Sequence, residues 1–213
     1  MSVLPIYLYG SDVLRAKAKP VAEMDNSVIK LIYDMLETMH KANGIGLAAT
    51  QVGDLRRIIV IDISDVEETK EQEADADVRI TSPDLPRKLV LVNPEILSEQ
   101  GSWRVEEGCL SIPEVRSEVE RAEKIKIRFL DANLKETQLH ADGLLARVIL
   151  HEIDHLDGVL FIDRITPAQR ALLKGQLKNI KKGVVETAYP VVSDSGIVRA
   201  ASSTKKRSGK VEA

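Results

Sequence analysis

Residues 142–158 read DGLLARVILHEIDHLDG, and this stretch decides how the rest of the chain is read. Leu144, Leu145, Val148, Ile149, Ile153 and Leu156 recur at helical spacing, Asp142 stands at the opening, and Gly158 suits the left-handed residue that closes a helix. On that helix His151 and His155 are four residues apart and share one face, so both imidazoles can reach a single metal ion. Glu152 leans over the open coordination position, where it can handle a proton. Two surface histidines placed by accident are the plain alternative. The chain has only four histidines, and two of them fall in this pattern on an otherwise apolar helix.

The third ligand decides the class of enzyme. One large protease group continues the motif to a further histidine, but here that position is Phe161, which cannot bind metal. Another protease solution uses a downstream glutamate, and only Glu186 and Glu212 follow, in or beyond an end expected to be weakly structured. The ligand is therefore expected upstream. Cys109 lies in EGCLSIP (107–113), where Gly108 allows close backbone approach and Pro113 ends the segment. A lone cysteine is ordinarily a small buried hydrophobe, and its neighbouring motifs are what argue for a ligand here.

A small-residue run, GIGLAATQ (44–51), offers a peptide-binding edge. Gly44 and Gly46 would let a substrate strand approach the backbone, and Gln51 can donate a hydrogen bond to an oxygen gaining negative charge. A phosphate-binding turn is disfavoured because no Lys-Ser or Lys-Thr follows and no strand precedes. A tight helix exit against the core is the plainer alternative.

Outward from these motifs, Val28, Ile32, Met35, Leu36 and Met39 predict an early helix, capped by Asp25 or Asn26 and ended by Gly44. RIIVIDI (57–63) predicts a strand, Asp65 to Asp77 an exposed acidic loop, and KLVLVNPEIL (88–97) a strand running into a proline-broken turn. Lys124 to Leu130 alternates, with Ile125, Ile127 and Phe129 on one face, and a return strand passes through Leu139. Thr166, Pro167 and Gln169 open a C-terminal helix with an apolar stripe of Leu172, Leu173, Leu177 and Ile180. The expected fold class is α+β, with antiparallel sheets packed around a central helix carrying the H-E-x-x-H motif. One catalytic domain is expected over 1–182, its last helix at 165–182, followed by a flexible tail at 183–213.

The net charge of −3 gives no global argument for a nucleic-acid or membrane partner. A single cysteine excludes an internal disulfide, and neither a secretory leader nor an apolar run of membrane length is visible, so a cytoplasmic setting is expected.

The three segments GIGLAATQ, EGCLSIP and HEIDHLDG, in that order, resemble the peptide deformylase family. YGSDVLR (9–15) and Lys19-Pro20-Val21 extend the resemblance over residues 4 to about 165. The resemblance implies a hydrolase that takes the N-formyl group from the N-terminal methionine of newly made proteins and releases formate. It implies a ferrous ion on Cys109, His151 and His155, with Ni2+, Co2+ or Zn2+ able to substitute. It makes Glu152 the general base and acid, Gln51 and the Leu110 N–H the oxyanion hole, and Ile45, Gly108 and Val148 the surroundings of the substrate methionine. Two residues depart from the family pattern: Leu150 stands where glutamine is common, and Arg147 where an apolar pocket residue is common.

A zinc endopeptidase and a binding module with a structural metal are the rival readings. The missing protease ligand counts against the first, and three ligands beside a glutamate count against the second. The substrates implied are N-formylmethionyl nascent peptides. Lys174, Lys178, Lys181 and Lys182, followed by Lys205, Lys206, Arg207 and Lys210, suggest that the C-terminal helix and tail meet the ribosome.

Overall fold

A computed structural model describes residues 2–66, 86–193 and 198–199. The elements are β1 (Ile6–Tyr7), α1 (Asn26–Lys41), β2 (Gly46–Ala48), β3 (Ile58–Asp62), β4 (Lys88–Gln100), β5 (Trp103–Cys109), β6 (Ile112–Arg121), β7 (Lys124–Leu130), β8 (Glu136–Asp142), α2 (Gly143–Leu156), α3 (Pro167–Lys181), β9 (Val191–Val192) and β10 (Val198–Arg199). Short 3-10 turns cover Asp12–Arg15, Ala49–Val52 and Phe161–Asp163. The expected acidic loop from residue 67 onward and the tail from residue 200 lie outside the described residues.

The antiparallel sheet β2-β3-β4-β7-β8 is the frame. Its strand β3 is apolar from Ile58 through Ile61 because both faces are covered there. Ile58 and Val60 join a core shared with α1, while Ile59 and Ile61 join a core shared with α2. From β7, Ile125, Ile127 and Phe129 point to the α2 side, as their alternation predicts. Helix α2 is buried at every position. Burying each of its Leu, Ile and Val side chains contributes about 1.5–3 kcal/mol, and that gain offsets the cost of burying Arg147, His151, Glu152, Asp154 and His155 on the same helix.

Helix caps mostly follow the sequence. Asp25 accepts from the Val28 N–H at 2.8 Å, and Thr166 and Gln169 form the capping box of α3. Helix α1, however, ends before Gly44: the left-handed residue is Asn43, at φ 55°. Gly158 does take φ 76°, and a Cβ there would lie 2.6 Å from the Arg15 carbonyl oxygen. On α3, Leu177 and Ile180 are buried but Leu172 is exposed, so the stripe is narrower than its spacing suggests.

The hairpin β5–β6 is not among the expected elements, and two further segments run differently from expectation. β4 does not stop at Pro94 but continues to Gln100 through a register shift between Val92 and Glu95. Asn93, at φ 52°, sits at that bulge, and its amide accepts from the Val21 N–H and donates to the Val21 carbonyl, each at 2.8 Å. Residues 184–193, expected to begin the flexible tail, return across the molecule. β9 pairs parallel with β1 and antiparallel with β10, and Tyr189, Val191 and Val192 are buried.

Candidate metal centre

The β5–β6 hairpin packs across the face of α2 that carries the two histidines. It brings Cys109 Sγ to 3.1 Å from His155 Nε2. Sγ and one ring nitrogen from each of His151 and His155 all lie within 4.8 Å of one another, a set able to hold a metal ion. All three residues are about 1% exposed. Phe161, at the position where some proteases have a ligand, stacks on the His151 ring instead.

Glu152 is fully buried beside this set. A Cβ on Gly46 would lie 2.6 Å from Glu152 Oε1 and 2.8 Å from Val148 Cγ1, so only glycine lets β2 pass this close to α2. At Gly44 the nearest side chain is that of Leu110, with Cδ1 2.8 Å from where a Cβ would stand. The structure thus brings Gly44, Gly46, Leu110, Val148 and Glu152 together. Ile45 and Val148 share one buried cluster. At Gly108 the atoms nearest an added Cβ are those of Arg116, beginning at 3.4 Å. Gln51 is held by its Oε1, which accepts from the Ala48 N–H at 2.8 Å, and its Nε2 lies 3.7 Å from Cys109 Sγ and 3.4 Å from Ser111 Oγ. Gly46→Ala is expected to keep the fold and displace Glu152, lowering kcat by about 100-fold, the scale of a 1 Å misplacement. Circular dichroism with steady-state kinetics checks both halves.

Behind His151 lies a layer of buried charge. Glu107 Oε2 is 3.1 Å from His151 Nδ1. Arg121 grips both Glu107 oxygens, at 2.6 and 2.9 Å, and reaches Asp154 at 2.8 Å. Arg147 also donates to Glu107 and to the Trp103 carbonyl, with its guanidinium 4.9 Å over the Trp103 ring, while Arg164 pairs with Asp154. Arg147 is therefore tied into this layer. Removing one member of a buried pair leaves a bare charge, so Arg121→Met is expected to cost about 3–5 kcal/mol of stability. A urea midpoint close to that of the parent would show that Arg147 and Arg164 suffice.

Burial opposes a charge on His151, but the hydrogen bonds and charges of Cys109 and Glu107 outweigh it and raise its pKa to about 10. The surroundings favour a cation at this point. His155 is held well below the ordinary imidazole range by burial and by the charge of His151. Burial lifts Glu152 to about 7, against the charges of His151 and Arg121, which suits a group that takes and returns a proton near neutrality. Among the described residues no donor makes a well-formed hydrogen bond to either buried Glu152 oxygen, although the Ala48 N–H stands close enough to act on the carboxylate. A cysteine sulfur and two imidazoles beside a buried carboxylate fit a metal ion with an open coordination position.

Fold and site together define a metal-dependent hydrolase of the H-E-x-x-H kind. The sequence profile for polypeptide deformylase matches residues 3–171. The chain is 44% identical to the peptide deformylase of Salinibacter ruber over 90% of its own length and 95% of that protein, and 43% identical to that of Thermodesulfovibrio yellowstonii over 85% and 100%. The crystal structure of a peptide deformylase from Legionella pneumophila superposes with a TM-score of 0.72 at 37% identity, covering 86% of this chain and 98% of that one. The chain belongs to the polypeptide deformylase family. It removes the N-formyl group from nascent peptides, a metal-dependent hydrolysis in this family.

Sequence reasoning missed Glu107, Arg121 and Asp154. The signal available was position: Glu107 stands two residues before Cys109, and Asp154 sits inside the histidine motif.

Proposed function

We propose that Cys109, His151 and His155 hold a ferrous ion and that Glu152, Gln51 and the Leu110 N–H perform deformylation around it. What supports this most is the convergence of a cysteine sulfur, two imidazoles, a carboxylate and a side-chain amide in one buried place. When bound, the ion supplies Lewis acidity that polarises the formyl carbonyl and acidifies water. Glu152 takes a proton from the attacking water as its oxygen bonds to the formyl carbon. Gln51 Nε2 and the Leu110 N–H donate to the oxygen that gains charge, each such donor being worth about 3 to 4 kcal/mol. Glu152 then returns the proton to the amine nitrogen as the C–N bond breaks, and formate leaves. Gly44 and Gly46 present backbone to the peptide, whose methionine side chain is received near Ile45, Gly108 and Val148.

One soft sulfur with two imidazoles suits iron, and nickel, cobalt or zinc can take its place. Metal analysis of protein purified without oxygen tests the assignment: about one iron per chain is expected, and protein that comes out of the cell with another metal and no iron would overturn it. Residues 1–182 form the catalytic domain in this reading, completed by the β9 pairing. No described helix is long and apolar enough to cross a membrane, and a cytoplasmic place of work fits a nascent-chain substrate.

The exposed lysines of α3 and of the residue that caps its end, Lys174, Lys178 and Lys182, are proposed to meet the ribosome. Reversing their charge should abolish salt-sensitive cosedimentation with ribosomes while leaving deformylation of a short peptide intact; retained cosedimentation would sink this proposal.

A further inference from the structure

The chain beyond α3 returns to the centre. The Ile6 N–H donates to the Pro190 carbonyl at 2.9 Å and the Leu8 N–H to the Val192 carbonyl at 2.8 Å, which lays β9 along β1. Tyr189, just before β9, is buried, and its hydroxyl donates to the Leu110 carbonyl at 2.8 Å. The next carbonyl, that of Ser111, accepts from the Tyr9 N–H at 2.8 Å. Leu110 and Ser111 are the two residues that join β5 to β6, because Cys109 pairs with Ile112. Neither has a positive φ, so the connection is not the primed turn whose twist closes a two-residue hairpin unaided. It is held from outside, at both of its carbonyls. This turn directly follows Cys109 and carries the Leu110 N–H, with Ser111 Oγ 3.4 Å from Gln51 Nε2.

We propose that Tyr189 is a positioning residue for deformylation: its hydroxyl fixes the Leu110–Ser111 turn and so aims the Leu110 N–H at the oxygen that gains charge. The inference rests on the reading of that N–H as an oxyanion donor. It places part of the working site in residues 184–193, beyond the 3–171 span that matches the family profile. Donors in an oxyanion hole act through being fixed before the reaction, so a turn that rocks loses transition-state stabilisation while the substrate still binds.

Tyr189→Phe keeps the buried ring and deletes the hydroxyl. In the full-length, metal-loaded protein, kcat is expected to fall roughly five- to tenfold, the scale of one neutral hydrogen bond, with KM and metal content unchanged. Amide hydrogen exchange at Leu110 and Ser111 is expected to quicken in the same variant. A kcat within twofold of the parent, with or without a lower melting temperature, would overturn the proposal, as would a loss carried only by KM or by metal content. Gln51→Ala is measured alongside. Full activity there removes the oxyanion reading and this inference with it, whereas a crippled Gln51→Ala beside an unaltered Tyr189→Phe removes this inference alone.

Discussion

Glu152→Gln is expected to bind metal as the parent does and to lose at least 100-fold in kcat, within the roughly 100- to 10,000-fold range of a lost general base. The substitution is nearly isosteric, which matters because Gly46 and Val148 leave no room for a larger group. Among the described residues neither carboxylate oxygen makes a well-formed hydrogen bond, and the amide keeps an oxygen that can still face the Ala48 N–H, so the change breaks no contact that holds the fold. Burial already raises the carboxyl toward neutrality, so replacing it by a neutral group should leave the melting temperature close to the parent's. What the amide cannot do is accept the proton from water and hand it on to the departing amine. Metal stoichiometry and kcat are measured together, and near-normal turnover at full metal occupancy would show that another group is the base.

Cys109→Ser separates a ligand from a core residue. Serine matches cysteine closely in shape, so if the thiol only filled space, the change would cost modest stability and leave metal content alone. A hard, protonated hydroxyl is a poor substitute for a thiolate, and with Sγ 3.1 Å from His155 Nε2 the loss falls at the centre of the donor set. Metal content and deformylation are expected to collapse together. If Cys109 holds a ferrous ion as proposed, the iron-loaded enzyme is expected to lose activity in aerated buffer and a nickel-loaded form to last longer. Unchanged stoichiometry and activity in the serine variant would take Cys109 out of the site.

The readable parts of the sequence are those where local pattern and final environment agree. His151, Glu152 and His155 needed only helical spacing, and the caps at Asp25 and Thr166 are local chemistry. The β5–β6 hairpin was not legible because two of its core-facing positions carry charge: Glu107 and Arg121 stand where alternation calls for apolar residues. Those same two residues form the layer behind His151, so the device that orients the histidine also hid the strands that deliver the cysteine. Pro94 read as a stop because the Asn93 bulge depends on Val21, a partner far away in the chain. Residues 184–193 read as tail for a related reason, since β9 is only two residues long and the partners of Tyr189, Val191 and Val192 lie far away in the chain, at Leu110 and in β1.

The pairing of Ile6 with Val191 has a kinetic side. Contacts between residues so distant in sequence require the entropy of closing a very long loop before they return any stabilisation, which puts them late in folding. The helices and the hairpins between neighbouring strands can form before β9 has docked. The molecule therefore acquires its secondary structure ahead of its last closure, and on partial unfolding the short β9 strand is the natural place for opening to begin.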